Sequence, residues 1–265
     1  MRLLLIRHGE TVDNVAQVYA GSRDSALTSH GVLQARRLAS HLASRPDGLG
    51  LSVSHVFASD LQRAAKTAEI VAQALRADVL RVVTTPTLRE KHFGNAEGVK
   101  FGAGMSQGED VFAGAETAES MRLRVSAFID DYLSPIWTQS STCIVVAHGI
   151  ILGALYRALC SRISPSSLTI APEVQGRSAT APGMLSPSWR NTGYLEASLS
   201  LSTDHNGPVS SRLTMHVLQV NCTVHLVGLK RTGGGVGSAP FDEKQRTMDA
   251  FFSKAPKREG SGPAP

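Results

Sequence analysis

Arg2-Leu3-Leu4-Leu5-Ile6-Arg7-His8-Gly9-Glu10-Thr11 opens the chain, and Thr142-Cys143-Ile144-Val145-Val146-Ala147-His148-Gly149 follows the same plan far downstream. Each has a short apolar run that leads into a histidine and a glycine. Such runs, without polar alternation, read as strands buried on both faces, the habit of a parallel sheet between helices. His55-Val56-Phe57-Ala58 and Val79–Val83 are two further strand candidates. Between them, Val32–Leu42 (with Thr28 or Ser29 as N-cap) and Leu61–Leu75 carry apolar residues at helical spacing. Thr117–Trp137 reads as a third helix, broken near Pro135, and Ile150–Leu159 as a fourth. Strands alternating with helices predict an α/β fold, a three-layer α/β/α sandwich with a largely parallel central sheet.

The remaining segments are less regular. The stretch with Gly9, Asn14, Gly21 and Asp24 reads as a polar loop, and Leu88–Gln107 as a long glycine-punctuated one. Residues 161–188 are rich in Ser and Pro and predict a loop or insertion. Tyr194–Leu201 and Leu213–Val224 alternate well enough for an antiparallel pair at the sheet edge. From Gly233 the composition turns to Gly, Ser and Pro, so 1–230 reads as one domain and 231–265 as a flexible tail.

Composition narrows the function classes. Three cysteines with no Cys-x-x-Cys spacing argue against a disulfide framework and against a zinc site. The first apolar run is cut short by Arg7 and His8, and Cys143–Leu159 carries His148 and Gly149 in its middle. Neither suits a signal peptide or a membrane span, so the expectation is a reducing, cytoplasmic or nuclear setting without membrane association. A net charge of +5 fits an anion pocket or a basic surface. No Lys/Arg stripe with interleaved aromatics marks the first two-thirds of the chain, so direct nucleic-acid binding is not expected.

The chemistry gathers at strand ends, where open α/β sheets bind ligands. Arg7 and His8 follow the first strand. An imidazole can attack phosphorus, and a guanidinium can hold phosphate oxygens in a fork that lysine cannot imitate. Ser59-Asp60-Leu61-Gln62-Arg63-Ala64 puts Arg63 in the first turn of a helix, Leu88-Arg89-Glu90 offers a carboxylate, and Ala147-His148-Gly149 a second histidine.

These segments, with Leu27-Thr28 and Gly31, resemble the ordered motifs of the histidine phosphatase superfamily, the phosphoglycerate mutase-like branch 1 type, over roughly residues 1–160. The resemblance implies that His8 carries the phosphoryl group, while Arg7, Arg63 and His148 neutralise its oxygens. Asn14 matches the family's loop asparagine at the phosphate, with a local side-chain hydrogen bond that stabilises the loop as the alternative. Glu90 would serve as acid and base, with Glu97 and Glu116 as alternatives. It implies no metal and no cofactor. Val12-Asp13 before Asn14, where the glycolytic mutases typically place a tryptophan, favours a phosphatase over a mutase. Arg23, Lys91, His92 and Lys100 could line a basic rim or be ordinary solvated charges.

In the tail, Gln245-Arg246-Thr247-Met248-Asp249-Ala250-Phe251-Phe252 resembles the PCNA-interacting peptide (PIP) box of DNA sliding-clamp partners, with Gln245, Met248, Phe251 and Phe252 at its defined positions. One helical turn would set Met248 and both phenylalanines on one face for an apolar pocket. The alternative is an amphipathic turn that packs on its own domain, and a clamp-binding module without turnover is the non-enzymatic alternative for the whole chain.

Overall fold

Leu3 and Leu5 face one side of the first strand and Leu4 and Ile6 the other, and all four are fully buried. That alternation puts a layer of helices on each face. The computed structural model describes residues 1–49, 53–75, 81–102, 110–175, 179–181, 184–185, 187–203, 211–230 and 235–242. In chain order its elements are β1 (Arg2–Arg7), α1 (Val12–Ala16), α2 (Ser29–Ala43), β2 (Val53–Ser59), α3 (Gln62–Ala74) and β3 (Val82–Thr85). Then come α4 (Ala118–Phe128), β4 (Thr142–Ala147), α5 (Gly149–Ser161), β5 (Leu168–Ile170), α6 (Pro172–Gln175), β6 (Ala179–Ala181), β7 (Met184–Leu185), β8 (Tyr194–Thr203) and β9 (Ser211–Cys222).

The main sheet has seven strands in the order β3-β2-β4-β1-β8-β9-β5. The first four are parallel, β8 runs antiparallel to β1, and β9 antiparallel to β8. Helices α2 and α3 cover the Leu4/Ile6 face through Leu38, Leu42, Ala68 and Val71. Helices α4 and α5 cover the Leu3/Leu5 face through Val125, Phe128, Ile151 and Leu155. This is the three-layer α/β/α sandwich expected. Among the described residues, no helix is long and apolar enough to cross a membrane.

Several local features differ from the sequence reading. The polar loop after β1 contains α1, whose five residues are too few for a periodic signal but are held by a reciprocal Thr11–Asn14 capping box. The third helix gives up its regular pitch at Ile129, where a π-turn (Ile129–Leu133) and a 3-10 turn containing Pro135 finish it. Strands β8 and β9 pair antiparallel as expected but are not the sheet edge, because β5 pairs with Met215–Val217 on the outer side. The 161–188 segment is therefore not a plain loop. A three-residue strand has no periodicity of its own and is defined only by its distant partner.

The tail expected from 231 starts with contacts to the domain. Ser29 N–H donates to Ala239 O at 3.1 Å, and Phe241 N–H donates to Leu27 O at 2.9 Å. The Arg36 guanidinium stands 5.8 Å from the centre of the Phe241 ring.

The loop that carries the first motif is pressed directly onto α2. A Cβ built on Gly31 would lie 2.1 Å from Glu10 O and 2.8 Å from Glu10 N, both backbone atoms that cannot swing aside. Gly31→Ala should therefore cost about 1–3 kcal/mol as an overpacking change. Calorimetry should show a melting temperature lower by about 2–4 °C per kcal/mol. An unchanged value would mean that the Glu10 segment is not pinned against the helix.

Candidate active site

Strands β1 and β4 run side by side with Arg7 paired to Ala147. The next residue on each strand is a histidine, and His8 N–H donates to Ala147 O at 3.0 Å. The register therefore delivers both imidazoles to one point, with ring centroids 5.0 Å apart and planes tilted by 58°. His8 is 4% exposed and His148 is fully buried. Gly9 lets the chain lie directly against α2: Thr67 Oγ1 accepts its N–H at 3.1 Å, and an added Cβ would meet Gly31 O at 2.6 Å.

Hydrogen-bond polarity assigns a different task to each ring. His8 Nδ1 lies 2.6 Å from Gly9 O. A carbonyl can only accept, so Nδ1 carries the proton and Nε2 the lone pair. His148 Nδ1 accepts from Arg63 Nε–H at 3.0 Å, so the neutral ring holds its proton on Nε2. That buried Nε2 has no partner among the described residues. One ring thus offers a nucleophile and its neighbour a donor. Burial first, and then the positive charge of Arg63, push both histidines well below the ordinary imidazole range.

Two guanidiniums flank the pair. Arg63, 1% exposed, is braced by His148 and by the carbonyls of Arg23 (2.5 Å) and Gly21 (2.7 Å). Arg7 is held through Nη1 to Trp189 O at 2.6 Å, while its buried Nε has no partner among the described residues. Among the described residues neither forms an ion pair within 4.0 Å. Burial, opposed by Glu90, Asp24 and Asp13, pulls the Arg63 pKa down to about 10, so the group stays cationic at neutral pH.

Glu90 stands at the N-terminus of α5. Its carboxylate accepts from Lys91 N (2.9 Å), Ile150 N (3.1 Å) and Ile151 N (3.1 Å), supplying the cap that the helix lacks at His148. The two alternative carboxylates are engaged elsewhere. Glu97 binds Ser22 and Phe93 N, and Glu116 binds Arg124 and Ser120. Asn14 Oδ1 accepts from Thr11 N and from Asn191 Nδ2, and Asn191 in turn reaches His8 O. Thr28 is the N-cap of α2. Of the basic rim, Arg23 pairs with Asp13 at 3.5 Å and Lys91 sits 5.6 Å from the Phe93 ring centre. The tail residues Gln245, Met248, Phe251 and Phe252 lie outside the described residues.

Comparison with known proteins fits this geometry. Residues 3–171 match the family model of the histidine phosphatase superfamily, branch 1. The chain belongs to that superfamily. A probable phosphatase of Schizosaccharomyces pombe is 29% identical over 265 residues, covering 95% of this chain and 79% of that protein. A probable phosphoglycerate mutase GpmB of Proteus mirabilis is 34% identical over 167 residues, covering 58% of this chain and 73% of its own length. Among solved structures, a mycobacterial glucosyl-3-phosphoglycerate phosphatase superposes with a TM-score of 0.56 at 22% identity, over 81% of this chain and 96% of that one. A phosphoglycerate mutase from Bacillus anthracis gives 0.58 at 20% identity, over 86% and 95%. At those identities the structures speak for the fold.

In this histidine phosphatase superfamily member, residues outside the strand-end motifs also touch the site. From the turn before β8, Asn191 and Thr192 reach the Arg7–His8 backbone and Trp189 O holds the Arg7 guanidinium, while Thr67 joins Gly9 to α3. A signal for the turn was present in the topology: an antiparallel neighbour of β1 presents its own start at the end of β1.

The buried histidines predict acid lability. His225, under the same turn, is drawn down to about 4, chiefly by burial. A histidine with a folded pKa below its unfolded value of about 6.5 lets the unfolded chain bind more protons, so stability falls as pH drops from about 6.5. Each such group contributes up to about 1.4 kcal/mol per pH unit. Melting temperature should decline from pH 6.5 towards 4, less steeply in His225→Asn; a flat profile would contradict these buried neutral states.

Proposed function

We propose that the chain is a metal-independent phosphomonoesterase that works through a phosphohistidine on His8. The observation that carries this reading is a neutral, buried imidazole with its Nε2 lone pair free, flanked by two guanidiniums that have no ion-pair partner among the described residues. Buried charge without a counter-ion is costly, and a phosphoryl dianion is the partner that such a group would recover.

His8 Nε2 attacks phosphorus, forming the N–P bond as the ester P–O bond breaks. The departing oxygen takes a proton from Glu90. Arg7, Arg63 and the His148 Nε2–H stabilise charge on the equatorial oxygens, the main term in phosphoryl transfer. Water then attacks phosphorus, gives a proton to Glu90 and breaks the N–P bond, releasing inorganic phosphate and restoring both residues. The relative that spans nearly the whole chain is named a probable phosphatase, which supports hydrolysis over phosphoglycerate mutase-type transfer.

Aryl phosphate hydrolysis by the wild type should persist in chelator and vanish in His8→Ala. Glu90→Gln should lose about 10²–10⁴-fold in kcat, the usual share of a general acid–base. Chelator-sensitive turnover, or turnover surviving in His8→Ala, would overturn the mechanism.

For the tail, we propose that 245–252 docks on a DNA sliding clamp of the PCNA type. Gln245, Met248, Phe251 and Phe252 fill the four positions, and the docked Pro240–Phe241 segment ends close before them. The chain between Asp242 and Gln245 spans at most about 10 Å, so a bound clamp would lie near α2. Such docking implies at least partial nuclear residence. Titrating the full chain with clamp should give saturable binding that Phe251→Ala/Phe252→Ala removes; equal binding by both would refute the motif.

A further inference from the structure

Asn191 comes from none of the strand-end motifs, yet it joins two of them. Its Nδ2 donates to His8 O at 3.2 Å and to Asn14 Oδ1 at 3.0 Å. The His8 carbonyl can only accept, which fixes the orientation of the Asn191 amide. At the other end, Thr11 N–H can only donate, and it points at Asn14 Oδ1 at 3.2 Å. Asn14 is thus held by its oxygen from two sides. Its Nδ2, the opposite end of the same amide, has no partner among the described residues.

The turn around Asn191 is itself tightly built. Thr192 has φ +55°, a left-handed conformation that costs a β-branched residue energy. That conformation accompanies an N–H shared between Arg7 O (3.0 Å) and His8 O (3.2 Å). The Thr192 hydroxyl donates to Asn191 O and also meets His225 Nε2 at 2.9 Å. In the same turn Gly193 O accepts from Arg7 N at 3.1 Å, and Trp189 O holds the Arg7 guanidinium. One five-residue turn, 189–193, therefore grips the backbone of both residues assigned to the phosphoryl group.

We infer that Asn191 is a positioning residue that locks the Asn14 amide with its Nδ2 donor, rather than its oxygen, presented to the phosphoryl group at His8. An unheld asparagine can turn either end towards an anion, and the oxygen end repels it. Asn191, adding a second donor to that of Thr11 N–H, removes that choice before substrate arrives, so no reorientation is needed in the reaction. The inference rests on the reading that a phosphoryl group binds at His8.

The test is a double-mutant cycle read by kcat/KM for an aryl phosphate and by the Kd of inorganic phosphate. Asn14→Asp keeps an acceptor for Thr11 and Asn191 but replaces the donor with a charged oxygen. It should weaken phosphate binding by at least about ten- to hundredfold, the range for one hydrogen bond to a charged group, with charge repulsion adding to the loss. Asn191→Ala should show a loss of similar size in the wild-type background and less than about twofold in the Asn14→Asp background, because coupled sites are not additive. A residue that only supports the fold would lower both backgrounds by the same factor, and that result, or no effect of Asn191→Ala on phosphate Kd, overturns the inference. Should Asn191→Ala fail to fold, Asn191→Ser carries the same cycle. Wild-type protein that binds phosphate without hydrolysing the ester would refute the phosphatase reading alone, and the phosphate Kd values would still decide the role of Asn191.

Discussion

The pairing of Arg7 with Ala147 across β1 and β4 is the constraint on which the site depends. In a parallel pair with that register, the next residues are neighbours at the same sheet edge. His8 and His148 meet for that reason, and a slip of one residue would turn every side chain of β1 to the opposite face. The register is held by a core that tolerates no such exchange, because Leu3 and Leu5 pack under α4 and α5 while Leu4 and Ile6 pack under α2 and α3.

Around that edge, fixed backbone groups decide what the side chains can do. The Gly9 carbonyl sets the His8 tautomer, and Arg63 sets that of His148. The carbonyls of Gly21, Arg23 and Trp189 steady the two guanidiniums without neutralising them. Neutral acceptors of this kind orient a cation and leave its charge available. Glu90 is aimed by the amides that open α5, so one carboxylate both caps a helix and acts through its charge on Arg7 and Arg63.

Much of this was legible in order of appearance along the chain. Unbroken apolar runs declared β1 and β4 because burial on two faces leaves no polar alternation. Apolar spacing declared α2, α3 and α5 for the corresponding reason. What escaped was short or defined by a partner: α1, with five residues, and β5, with three, carry too few residues for a period to show. Placing β8 and β9 at the edge failed on the same point, since an edge is a relation between strands and β5 supplies it from a segment that reads as loop.

Residue types and their order along the chain by themselves determined an α/β sandwich, its superfamily, and a set of groups suited to an oxyanion: Arg7, His8, Arg63, Glu90 and His148. Only the tertiary structure set Glu90, whose charge reaches Arg7 and Arg63, apart from Glu97 and Glu116, because all three lie in irregular chain and differ only in which groups they meet. It alone brought in Trp189, Asn191 and Thr192, whose approach to Arg7 and His8 depends on β8 running antiparallel to β1. Periodicity and motif are local properties that a sequence carries openly, whereas hydrogen-bond partnership is decided by which distant backbone atoms the fold places within reach.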